Sequence, residues 1–116
     1  MVAISLVCIS LIGCTTIGYC DATASIREAI KLYDEGKNLY NREEYRKAVE
    51  YFQKVVNDSP ESDMTEVAMY YLGSSYEHMG NYDKAITIYG QLIDKYKRGF
   101  WVKAAKKDIK EIKKKQ

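Results

Sequence analysis

The sequence predicts an all-α fold, in which two helix-turn-helix repeat units and a C-terminal capping helix follow an N-terminal export signal. Three observations predict it. The chain matches itself when it is shifted by 37 residues, helix-start and helix-stop residues divide each unit into two helices, and the first twenty residues contain no charged side chain. One Pro and seven Gly in 116 residues argue against a linker-like or collagen-like chain.

The first segment, residues 1–24, is predicted to be an export signal with a short tether. Val2–Ile12 is almost wholly apolar; it is shorter than the ~20 residues of a membrane span and fits the ~7–15 residues of a signal's apolar core. Leu11-Ile12-Gly13-Cys14 closes the run and resembles the lipobox of bacterial lipoproteins. This resemblance implies cleavage before Cys14, attachment of acyl chains such as palmitate to that residue, and anchoring to a membrane.

Two alternatives to this cleavage stay open. Ala22-Thr23-Ala24 fits a secretory A-x-A site, which would release a soluble chain, and an uncleaved apolar anchor is the second alternative. No Lys or Arg precedes the apolar run, which departs from export signals. Thr15 and Thr16 follow the cysteine, with no Asp there. By resemblance to lipoprotein sorting in diderm bacteria, this favours the outer membrane, on its periplasmic side, over the inner membrane.

An internal repeat covers most of the remaining chain. A shift of 37 residues brings apolar and small positions onto positions of similar size. The matched pairs are Leu32 with Met69, Gly36 with Gly73, Tyr45 with Tyr82, Ala48 with Ala85, Val49 with Ile86, Phe52 with Tyr89, Val55 with Leu92, and Val56 with Ile93. A second shift continues into the tail, where Met64 meets Trp101, Ala68 meets Ala105 and Leu72 meets Ile109.

The domain at residues 25–116 is therefore divided into repeat 1 at about 26–60, repeat 2 at about 63–97 and a capping helix at about 100–114. The first helix is predicted to run to about Tyr40 and to open on a capping box formed by Ser25 and Glu28.

The second helix is predicted over about 43–57, and Pro60 bars its extension. The third is predicted over about 63–79, with Asp63-x-x-Glu66 as its opening. Gly80 supplies the left-handed turn after it. A fourth helix is predicted from about Tyr82 to Tyr96, where Gly99 breaks it.

This arrangement resembles the tetratricopeptide repeat family, whose pattern is W-x₂-L-G-x₂-Y, then A-x₃-F, then P. The residues at the packing positions of that pattern are Gly36, Ala48 and Phe52 in the first unit and Gly73, Ala85 and Tyr89 in the second. The glycines and alanines imply close helix packing, and the aromatic residues fill the gap towards the next unit. The 37-residue period is similar to that of bacterial envelope proteins such as the outer-membrane-assembly lipoprotein BamD and the Tol–Pal-associated periplasmic protein.

The resemblance also implies where a partner binds, because the first helix of each unit lines the concave face in this family. The predicted partner groove consists of Tyr33, Lys37, Tyr40, Asn41, Tyr70, Ser74, Glu77 and His78. Tyr71 lies on the same helix as Tyr70 and belongs with these tyrosines. An aromatic groove suits an extended or helical peptide. The alternative is that these tyrosines face solvent or contact the chain's own tail.

Catalysis is not expected. The chain has one histidine, His78, and all three cysteines lie within the first twenty residues, so residues 21–116 offer no Cys/His metal site and no cysteine nucleophile. Phosphate-binding glycine motifs are absent from the sequence. We therefore expect no enzyme activity, no cofactor and no metal site.

Charge is distributed unevenly along the chain. Residues 25–96 carry a net charge of −4, whereas residues 97–116 contain nine basic and two acidic residues and carry +7. Apolar residues fall on one face of the predicted fifth helix, which suits a cap over the open end of the repeat stack. The alternative for its lysines is contact with an anionic partner such as lipid headgroups or an acidic protein. Nucleic acid is not expected for an exported chain.

The predicted function is a non-catalytic scaffold for protein–protein contacts in the bacterial cell envelope, as a lipid-anchored lipoprotein of an outer-membrane assembly or Tol–Pal-like complex. One alternative is a soluble periplasmic adaptor. Another is an accessory subunit that docks an envelope enzyme or a secretion complex. Expected partners are an envelope protein or peptide, and the membrane through N-terminal acyl chains. Self-association across the open N-terminal face is a further expectation, because repeat arrays need about three units for stability.

Overall fold

The computed structural model describes residues 23–116, which form five α-helices and no strand. The first, α1, occupies residues 23–41. The others are α2 (Tyr45–Asp58), α3 (Asp63–His78), α4 (Tyr82–Tyr96) and α5 (Phe100–Lys115). The all-α prediction is confirmed for these residues. The predicted lipidation site at Cys14 lies outside them. Within residues 23–116, no helix is both long enough and apolar enough to cross a membrane.

The helices pack in the order of a helical repeat stack. Contacts join α2 to α3, α3 to α4, and α5 to both α4 and α3. The two repeats are also tied together near their ends, because the Lys95 ammonium in the last turn of α4 donates a hydrogen bond to the carbonyl of Pro60, which lies between α2 and α3.

The capping residues at the starts of α1 and α3 differ from the sequence prediction. Residues 23 and 24 are already helical, so Ser25 lies within α1, and the prediction that it caps the first helix is wrong. Ala24 has a high helix propensity, which favours helix ahead of the serine. At α3 the N-cap is Ser62, whose hydroxyl accepts a hydrogen bond from the Met64 amide at 3.1 Å. Asp63 instead lies in the first turn, where its carboxylate complements the helix dipole.

The turns inside the two repeats share one backbone geometry. Glu43 has φ 63° and Gly80 has φ 77°, and these residues are 37 positions apart. The left-handed conformation at Glu43 explains why α2 begins at Tyr45 and not at residue 43. After α4, Lys97 adopts φ 65°, so the helix ends there, and Gly99 is the N-cap of α5. The predicted break at Gly99 therefore occurs two residues earlier.

The core consists of two adjoining clusters. The first joins α2 to α3 and contains Ala48, Phe52, Val55, Ala68 and Leu72, with Leu32 and Leu39 of α1 packed against it. The second joins α3, α4 and α5 and contains Met69, Ala85, Tyr89, Leu92, Val102, Ala105 and Ile112. Since Val102, Ala105 and Ile112 of α5 are all fully buried, this helix covers the second repeat as the apolar spacing in its sequence predicts.

The same packing contact recurs in both repeats. The Phe52 ring lies against Gly36, and the Tyr89 ring lies against Gly73. Each glycine is on the first helix of its unit and each ring on the second. Both rings are fully buried, so the glycines provide space that a larger residue would fill.

Candidate functional site

Aromatic side chains of α1, α3 and α5 form one connected cluster with Tyr71 near its centre. The Tyr71 ring lies 6.3 Å from that of Tyr33, 5.2 Å from Tyr40, 5.5 Å from Tyr70 and 5.7 Å from Trp101, centroid to centroid. All five side chains are half-buried, so each keeps part of its surface accessible. We call this surface the aromatic face; it comprises these five residues with Lys37, Ser74, Glu77, His78 and Asp108.

Hydrogen bonds fix two of these tyrosines across helices. The hydroxyls of Tyr40 in α1 and Ser74 in α3 are 2.7 Å apart. The Tyr70 hydroxyl donates to a carboxylate oxygen of Asp108 in α5, also at 2.7 Å. Each bond joins residues more than thirty positions apart in the chain, so the rings are held where α3 lies between α1 and α5.

Lys37 places its ammonium group over the aromatic face. The nitrogen lies 4.0 Å from the centroid of Tyr71 and 5.2 Å from that of Tyr40. The same group donates to the Asn41 side chain at 3.4 Å. A cation at this distance from a tyrosine ring is attracted by its π electrons. The aromatic face therefore accommodates a basic group as well as apolar ones.

Glu77 joins the face to the helices behind it. Its carboxylate accepts a hydrogen bond from the hydroxyl of buried Tyr89 at 3.2 Å and lies 3.8 Å from the Lys115 ammonium. One acidic side chain thus contacts α4 and α5 from α3. Because it accepts a hydrogen bond from a core residue, Glu77 stabilises the packing of these helices as well as lying on the aromatic face.

His78 marks one edge of the aromatic face. Its exposed ring stacks on Tyr45 at 4.6 Å with an interplanar angle of 4°, and it meets Tyr40 edge-on at 5.6 Å. Tyr45, which the 37-residue shift matches with Tyr82, is half-buried and supports this histidine.

Burial raises the pKa of three tyrosines in this region. Burial raises the pKa of Tyr40, although the Ser74 hydrogen bond opposes the change. Burial and the bond to Asp108 raise the pKa of Tyr70. Burial, with the charges of Asp108 and Glu77, also raises the pKa of Tyr89. The hydroxyls of Tyr70 and Tyr89 are therefore neutral hydrogen-bond donors to carboxylates, whereas either hydroxyl can donate in the Tyr40–Ser74 pair.

The structure joins the eight predicted groove residues through side-chain contacts, although Ser74 is buried and Glu77 is reached only through the buried Tyr89. Tyr33 and Tyr70 reach it through Tyr71, and Asn41 reaches it through Lys37. Sequence reasoning missed two members, Trp101 and Asp108, and these are the contribution of α5. A signal for Asp108 existed, because a 37-residue shift of Tyr71 falls on it.

The position of Trp101 differs from what the sequence pattern of α5 predicts. Its place among the apolar residues of that helix predicts a core side chain. The ring is instead half-buried, with its centroid 4.9 Å from that of Tyr70, and it extends the aromatic face to α5.

Among residues 23–116, no group of three His, Cys, Asp or Glu side chains is placed to hold a metal ion.

A comparison with protein families matches this sequence. The tetratricopeptide repeat family model covers residues 32–62 and 67–98. The two matched segments begin within α1 and within α3, include α2 and α4 in full, and contain the glycine–aromatic contacts described above. Searches among curated proteins and among solved structures found no match.

Proposed function

Since this chain belongs to the tetratricopeptide repeat family, we propose that it is a lipid-anchored scaffold of the bacterial cell envelope that binds a protein partner on its aromatic face. Repeats of this family imply a protein partner and a non-catalytic role. The envelope location and the anchor are the finer parts of the proposal. Its single strongest support is the continuous surface of partly accessible rings that α1, α3 and α5 build together.

The aromatic face suits a peptide segment for two physical reasons. Tyrosine and tryptophan give a large contact area and lose little conformational entropy on binding. The Tyr40–Ser74 and Tyr70–Asp108 bonds hold their rings in place before a partner arrives, which lowers the cost of binding further. An extended or helical segment with apolar side chains fits such a surface.

The proposed location rests on the N-terminal sequence, which lies outside the described residues. The apolar run at 2–12 and the lipobox-like quartet ending in Cys14 support cleavage and acylation. Acyl chains then hold the protein to the outer membrane, where it serves an assembly or Tol–Pal-like complex. A soluble periplasmic adaptor, or an accessory subunit of an envelope enzyme or secretion complex, uses the same face without this anchor.

Site-specific photocrosslinking tests the binding face. A photoreactive amino acid placed at His78, an exposed edge position of the face, is expected to give a defined protein adduct in cells. The matched control carries the same amino acid at Lys54, an exposed position of α2. Adducts of equal yield at both positions would contradict the proposed face.

Metabolic labelling tests the anchor separately. Radioactive palmitate is expected to label the wild-type chain and not the Cys14→Ser chain, and the intact mass of the mature protein reports the cleavage site. An unlabelled wild-type chain that begins at Ser25 would instead support the soluble adaptor.

A further inference from the structure

Lysines cover the outer side of α5. They are Lys103, Lys106, Lys107, Lys110, Lys113 and Lys114, all of them exposed. At 3.6 residues per turn, these six positions fall within an arc of about 120° around the helix. The remaining surface of the helix carries Val102, Ala105 and Ile112, which are fully buried against α3 and α4. The core therefore fixes the orientation of α5 and presents its lysines to solvent together. We call these six residues the lysine face.

Most of the lysine face forms no close ion pair within the protein, although Glu111 also interacts electrostatically with Lys107 and Lys110. Lys114 pairs with Glu111 at 3.0 Å. The other five have no carboxylate within 4.0 Å among residues 23–116. Like charges on successive turns repel one another, so this arrangement costs stability in the isolated protein. An anionic partner would offset that cost.

An exposed aromatic ring adjoins these charges. Phe100 is 74 % exposed and is the first residue of α5. It lies in the row that Lys103, Lys107, Lys110 and Lys114 continue at steps of three and four residues. Lysines with an apolar ring at the same surface are typical of helices that lie in the interface of an anionic bilayer, where cations meet headgroups and the ring enters the acyl boundary.

We propose that the lysine face and Phe100 dock α5 on an anionic lipid surface, with the helix axis parallel to the bilayer. This inference rests on the proposed envelope location only in requiring that the chain meets a membrane. It adds a second membrane contact to the acyl anchor, which is how stable attachment is commonly achieved.

The docked orientation leaves the partner-binding surface free. On α5, Trp101 and Asp108 lie about 180° around the helix from Lys110, by the 100° step between residues. Both residues belong to the aromatic face. A helix seated on lipid through its lysines therefore directs most of the aromatic face away from the bilayer, towards a protein partner. The two surfaces adjoin at the start of α5, where the Phe100 ring meets Trp101 edge-on at 5.0 Å.

Vesicle sedimentation tests the proposal. The full chain is used with Cys14→Ser, so that acylation plays no part. Binding to vesicles of phosphatidylcholine with phosphatidylglycerol is expected to exceed binding to pure phosphatidylcholine, and to fall steeply as salt is raised. The variant Lys103→Gln/Lys107→Gln/Lys110→Gln is expected to lose at least about tenfold in partition onto anionic vesicles, since each lysine near such a surface contributes about fivefold.

A charge-matched control separates the lysine face from net charge. Lys31→Gln/Arg46→Gln/Lys54→Gln removes three exposed positive charges from α1 and α2. This variant is expected to keep vesicle binding within about twofold of the parent chain. Equal losses in both triple variants would overturn the proposal, as would equal binding of the parent chain to neutral and anionic vesicles.

Other anionic partners are distinguished in the same experiment. A labelled DNA duplex and a polyglutamate peptide are compared with the vesicles at one ionic strength. Phe100→Ala is expected to weaken vesicle binding several-fold and to leave binding to either polyanion unchanged. Tighter binding to DNA or polyglutamate than to anionic vesicles would overturn the assignment to lipid. None of these results depends on whether Cys14 is acylated or on which protein crosslinks at His78.

Discussion

Gly73 lies so close to the ring of Tyr89 that a Cβ atom at position 73 would stand 2.7 Å from Cε1 of that ring. In the first repeat, a Cβ at Gly36 would stand 2.9 Å from Cε1 of Phe52. The two helices of each unit therefore pack through the same glycine–aromatic contact. Each glycine permits the ring of the second helix to lie directly on the backbone of the first.

Gly73→Ala is therefore expected to destabilise the fold, in spite of the higher helix propensity of alanine. We expect the free energy of unfolding to fall by about 1–3 kcal/mol, because overpacking a filled core forces side chains and backbone to shift. Urea denaturation followed by circular dichroism measures this change.

The matched control for this substitution is Gly90→Ala in α4. A Cβ there meets nothing within 4 Å, so the substitution is expected to stabilise the protein by up to about 1 kcal/mol. If both alanine variants change stability in the same direction, the close contact at Gly73 is not what determines the outcome.

The left-handed turns give a second prediction. Glu43→Gly is expected to raise the free energy of unfolding by up to about 1 kcal/mol, because a non-glycine residue pays roughly 1–2 kcal/mol in this conformation and glycine does not. Gly80→Ala at the equivalent position is expected to lower it by about 1 kcal/mol, although a Cβ there meets nothing within 4 Å. Thermal unfolding of both variants checks the pair; a stabilised Gly80→Ala chain would contradict the turn geometry.

The free energy of unfolding at alkaline pH is expected to depend on the buried hydroxyl of Tyr89. Burial raises the pKa of this hydroxyl in the folded state. Below pH 10 the hydroxyl is protonated in both the folded and the unfolded chain, so its contribution to the free energy of unfolding is present in full. Above pH 10 the unfolded chain releases the proton first, and the free energy of unfolding falls as pH rises further.

Tyr89→Phe isolates this effect, because the equivalent residue of the first repeat is Phe52. We expect the variant to be about 1 kcal/mol less stable at neutral pH, through loss of the bond to Glu77. Its stability is expected to decline less steeply than that of the wild type above pH 10. Denaturation curves at several pH values test this, and parallel curves would show that another group governs the alkaline loss.

The bond between Tyr70 and Asp108 is expected to attach α5 to α3. Tyr70→Phe keeps the ring and removes the donor, so we expect a loss of about 1–2 kcal/mol for a hydrogen bond to a charged group that is half-buried. Asp108→Asn keeps an acceptor and is expected to cost less. A double-mutant cycle measures the coupling; additive effects would show that the bond contributes nothing to stability.

The elements themselves follow closely from local sequence signals. α4 spans Tyr82–Tyr96 as predicted, and α5 exceeds its predicted end by one residue. Helix starts were less predictable. Ser62 and Asp63 are adjacent capping residues, and the choice between them depends on backbone angles that the spacing of side chains does not fix.

By itself, the sequence determined the number of helices in the described chain, the 37-residue repeat and the glycine–aromatic pairs, because these depend on the order of side-chain size and polarity along the chain. Only the tertiary structure decided that Trp101 and Asp108 join the aromatic face and that Tyr45 supports His78. Such contacts join residues more than thirty positions apart, and they depend on the distance and angle at which one helix packs against the next. A pattern within one helix carries no information on that geometry.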